Sequence, residues 1–86
     1  MVQSIPQARP ILIRHQAERY YVHVQVLGAG AIRIGKSMWE LLTPLTGGVN
    51  QGQVIASADG VQRFWWKGEL WAVGEGGDAQ ADFQFA

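Results

Sequence analysis

Eleven glycines divide the chain beyond residue 27 into short pieces, and within the pieces apolar and polar side chains alternate with a period of two. That alternation is the pattern of strands with one buried face, and the glycines supply the turns between them. The clearest case is Tyr21 to Val26, where Val22, Val24 and Val26 point one way and Tyr21, His23 and Gln25 the other. β-Branched residues suit a pleated surface, so this segment predicts a strand. Gly28, Ala29 and Gly30 then form a tight turn, and Ala31 to Ile34 resumes the alternation, which predicts a hairpin. Upstream, Pro10 to Arg14 reads as a separate strand that leads through His15 to Glu18 into the long one.

The second half repeats the pattern. Val54 to Ala56 is a strand ending at an Asp59–Gly60 turn, and Val61 to Trp66, a Lys67–Gly68 turn and Glu69 to Val73 predict a second hairpin. Ala81 to Phe85 closes the chain with Phe83 and Phe85 on one face. Ser37 to Leu42 allows at most one short helical turn before Pro44 stops it, and Gly47 to Gly52 is a polar loop. About seven short strands, with no room for βαβ crossovers, predict an all-β fold: a small antiparallel β-sandwich or barrel. The domain spans residues 10–86. Residues 1–9 carry no period and are expected to form an extended arm outside the core.

Length bounds function. A chain of 86 residues buries only about 60–65% of its extended surface, which leaves little for an elaborate active site and favours self-association. Seven basic residues balance seven acidic ones, so no overall positive field attracts nucleic acid or anionic lipid, and neither is expected as a partner. Without cysteine there is no disulfide framework and no thiolate metal site. The amino terminus lacks the basic and apolar blocks of a signal peptide. The longest uncharged run, Leu41 to Ala58, holds Pro44, three glycines and three amides, unlike a membrane-spanning helix.

Three motifs invite chemistry. Gly30 to Ser37 matches G-x-x-x-x-G-K-S, but its middle residues alternate like a strand and the helix it needs is cut short by Pro44, so the match predicts no phosphate loop. His15 and His23 lack a third metal ligand, and no Ser–His–Asp order or acid pair can be assembled. No enzyme activity, cofactor or metal is therefore expected. The unusual feature is four tryptophans, Trp39, Trp65, Trp66 and Trp71. Trp65 and Trp66 are adjacent, so on a strand they face opposite ways and one stands outside the core. With Phe64 and Trp66 facing one way, the Trp65 side becomes a contact surface that Trp71 can join.

The ordered set Val22 to Gly30, Ile32 to Gly35, Gly47 to Gly52, Gly68 to Val73 and Ala81 to Phe85 resembles small β-sandwich modules of tailed-bacteriophage virion proteins, of the head-decoration or head-fibre type. The resemblance covers residues 19–86. It implies a non-enzymatic capsid decoration or cement protein, made in the host cytoplasm and carried on the virion surface, where trimers would bind the major capsid protein or another virion protein. Val2, Ile5 and Pro6 of the arm, with Trp39, Trp65 and Trp71, are the expected interface anchors. The alternative is a carbohydrate-binding or adhesion module that stacks sugars on exposed tryptophan.

Overall fold

A computed structural model describes residues 1–42 and 52–85. Its strands are β1 (Val2–Ile5), β2 (Ile11–Leu27), β3 (Ala31–Gly35), β4 (Gln53–Ala56), β5 (Gln62–Glu75) and β6 (Ala79–Phe85). One short helix, α1 (Met38–Leu42), follows β3, and a 3-10 turn, Ser57–Asp59, follows β4. The helical turn was anticipated; the 3-10 turn is additional. Among the described residues all strand pairings are antiparallel, in one sheet ordered β1-β6-β2-β5-β3-β4. The all-β antiparallel fold is as expected, and of the two forms considered the curled single sheet is the barrel-like one. Apart from Gly52, the expected loop at residues 47–52 lies outside the described residues.

Among the described residues the strands are fewer and longer than the alternation suggests. Residues 15–18 do not connect two strands: they continue β2, which stays paired with β5 through two register shifts, between Leu12 and Arg14 and between Gln16 and Tyr20. Gly68, expected in a hairpin turn, lies inside β5 opposite Gln16, with φ +86°. A bulged or irregular stretch and a tight turn both want a glycine there, and the continuous partner strand decides between them. The first hairpin also fails. Both edges of β2 near Val24 are taken, by Gln62 of β5 and by Phe83 of β6. The turn at Gly28 to Gly30 therefore carries the chain to the far edge of β5, where Ile32 pairs with Gly74.

Inward-facing side chains follow the strand period. Val22, Val24 and Val26 of β2, Ile32 and Ile34 of β3, Ile55 of β4, Leu70 and Ala72 of β5, and Ala81 and Phe83 of β6 are buried together. Ile5 joins them with no exposed surface. The amino-terminal segment is thus not an arm lying outside the core: Val2 pairs with Asp82 and Ile5 with Ala79. A four-residue strand with one inward apolar residue has no readable period, and its partner lies at the other end of the sequence.

Beyond β1, the Gly74 amide donates to the carbonyl of Pro6 at 2.8 Å, drawing the end of β1 against β5 and curling the sheet. A Cβ at position 74 would press on the carbonyl oxygens of Gly77 and Ile5, so this close approach requires glycine. On the outer face, α1 packs over β3 and β5. Ser37 Oγ accepts the Glu40 amide at 3.0 Å, and buried Leu41 lies where a side chain at Gly35 would be.

Candidate aromatic surface

The β2–β5 pairing sorts the aromatic residues between two faces. Tyr20 pairs with Trp66, Tyr21 with Trp65 and His23 with Arg63, so the even positions turn inward and the odd ones outward. Trp65 and Trp66 consequently part.

Trp66 closes one end of the core. It meets Phe64 edge-on at 5.6 Å between centroids, and its Nε1 donates to the Glu69 carbonyl at 2.8 Å. Lys36 Nζ stands 5.1 Å from its ring centre. Beside it, buried Tyr20 donates its hydroxyl to the Gly68 carbonyl at 3.1 Å and meets Phe85 edge-on. Burial raises the Tyr20 pKa, with the charge of Arg14 acting in the opposite direction. The Arg14 guanidinium lies 4.5 Å from the Phe85 ring centre.

Outside, Trp65 is 57% exposed. Tyr21 lies across it at 4.9 Å between centroids, the Arg19 guanidinium stands over its ring at 4.6 Å, and His23 meets Tyr21 edge-on at 5.1 Å. Arg63 and Lys67 flank Trp65 at alternate positions of β5, and both are exposed. Arg19, Tyr21 and His23 are the members that sequence reasoning missed. Only the polar side of the Tyr21–Val26 alternation hinted at them, because what places them beside Trp65 is strand register.

The expected anchors do not gather in one place. Ile5 is buried in the core and cannot be an interface anchor, since its burial against β6 is what holds β1 to the sheet. Pro6 is half-buried, with its carbonyl engaged by Gly74. Val2 is exposed on β1. Trp71 is half-buried on the outer side of β5, its Nε1 bonded to Glu69 Oε1 at 2.9 Å. Trp39 is 73% exposed on α1, with Met38 and Leu42 also exposed.

The G-x-x-x-x-G-K-S match forms β3 and the approach to a five-residue helix, with Ile32 and Ile34 in the core. Its backbone is engaged in sheet pairing, so it is not a phosphate-cradling loop. His15 pairs with Glu69 and His23 with Arg63, on separate parts of β2. Among the described residues no three His, Cys, Asp or Glu side chains come together as a metal site, and no helix is long and apolar enough to cross a membrane. An open cleft of about 540 Å³ lies near the junction of β1 and β6, lined by Ser4, Ile5, Pro6, Ile11, Leu27 and Ala79 among others. Asp78 on its rim accepts the Gln7 amide at 2.8 Å. Set against family models, curated proteins and solved structures, the chain has no match.

Proposed function

We propose that this chain is a non-enzymatic structural module of a virion, a decoration or cement protein that binds the assembled capsid and stabilises it. The observation that carries the proposal is the apolar face of α1: Trp39, Met38 and Leu42 stand exposed on a helix that buries only Leu41. Exposed tryptophan is a typical protein-interface anchor. A protein that binds only the assembled shell stabilises that shell through the binding free energy of every copy. Self-association, with a trimer favoured, would cover the outer edges of β1 and β4, which end the sheet.

Sedimentation of the native-source lysate tests this directly. An antibody to the chain should detect it with virion-sized particles; recovery only in the soluble fraction refutes the proposal. The second reading, a glycan-binding or adhesion module, has exposed Trp65 in its favour. Against it, Arg19 stands over the indole that a sugar ring would need. A tryptophan emission shift on adding a glycan would restore that reading.

A further inference from the structure

The neutrality of the whole chain conceals how its charges are sorted by the fold. The β2–β5 register sets Tyr21 beside Trp65 and His23 beside Arg63, the Arg19 guanidinium stands over the Trp65 ring, and Lys67 follows two positions along β5. Among the described residues, none of these three cations is held in an ion pair; the pairs present are Met1 with Asp82 and Arg33 with Glu75. The nearby acids are Glu69, which is bonded to Trp71, and Glu18, next to Arg19 in sequence.

We infer that the outer surface around Trp65 binds single-stranded nucleic acid, with Trp65 and Tyr21 stacking on bases and Arg19, Arg63 and Lys67 meeting phosphates. Three features favour this partner. Exposed aromatic rings offer π-faces to any base, and single-strand binders combine such rings with tracking cations. Arg63, Trp65 and Lys67 occupy alternate positions, about 6.6 Å apart along β5, so cation, ring and cation succeed one another in a line. The planar Arg19 guanidinium that covers the indole is itself a stacking surface for a flat base, whereas a sugar ring needs the bare indole face. An acidic protein segment would use the cations but would leave the two rings without a role. This inference does not rest on the virion proposal, whose carrying surface is α1.

The test is fluorescence anisotropy of a labelled oligothymidylate with the full chain at low salt. Binding is expected, with a log–log salt slope of about −2, or ~0.7 for each of three cations. Trp65→Ala should weaken it about tenfold, while Trp65→Phe, which keeps a ring, should retain most of the affinity. Arg63→Gln should flatten the salt slope and provides an independent check if Trp65→Ala does not fold. Trp39→Ala should bind like the parent. No binding at low salt overturns the inference. So does affinity unaffected by Trp65→Ala, or equal competition by polyglutamate, which would mark simple polyanion attraction or an acidic protein partner.

Discussion

Arg33, buried in β3, donates from Nη1 to the main-chain carbonyl of Leu41 at 2.9 Å and so ties the end of α1 to the sheet. The same guanidinium reaches Glu75 through Nε at 2.6 Å. A cation at a helix carboxyl end satisfies a carbonyl that the helix itself leaves open. Arg33→Met should therefore cost about 1.5–3 kcal/mol, the range for hydrogen bonds involving a charged group. Glu75→Gln should cost less than about 1 kcal/mol, because that carboxylate is partly in solvent. Urea denaturation of the two variants checks the asymmetry.

Glycine substitutions should separate steric closure from backbone conformation. Gly74→Ala places a methyl group against two carbonyl oxygens where β1 meets β5, and should destabilise by about 3 kcal/mol or prevent folding. At Gly68 there is open space for a methyl group, but its φ of +86° disfavours an L-residue, so Gly68→Ala should cost about 1–2 kcal/mol. Equal losses in thermal melts would contradict this account.

The adjacent tryptophans should behave differently. Trp65→Ala removes a largely exposed ring and should cost about 1 kcal/mol, from its contacts with Tyr21 and Arg19. Trp66→Ala also strips Phe64 of its neighbour and leaves the Glu69 carbonyl without the indole donor, for a loss of about 3 kcal/mol. Chemical denaturation of the pair should rank them in that order.

Alkaline conditions should weaken the fold through Tyr20. Burial raises its folded-state pKa above the ordinary 10.0, so the folded chain holds the phenol proton more tightly than the unfolded chain. That contribution is complete below the unfolded pKa and is lost as pH rises through the folded-state value. Tyr20→Phe should remove this part of the alkaline loss, at a cost of about 1 kcal/mol at neutral pH from the bond to Gly68. Stability measured across the alkaline range tests the sign.

What the sequence makes legible is local. Period-two alternation identified the inward valines of β2 and the opposite facing of Trp65 and Trp66, because side-chain direction follows directly from strand geometry. Pairing was not legible in the same way. Gly28 and Gly68 both resemble hairpin turns, yet one begins a crossing to β5 and the other lies within a continuous strand, as set by neighbours distant in sequence. The surface around Trp65 shares that origin: Arg19 and Trp65 are 46 positions apart in sequence, and only the pairing of two long strands sets the guanidinium over the indole.

The placement of β1 also bears on biosynthesis. Among the described residues its ladder partner is β6, and the β1-to-β5 closure at Pro6 requires Gly74, so β1 has no place in the sheet until the residues of β6, about 75 positions later, have been made. Ile5 must wait uncovered while the β2–β5 ribbon forms. Closure is therefore a late step of long loop entropy, and premature release or arrested translation would expose an unfinished sheet edge to neighbouring nascent chains.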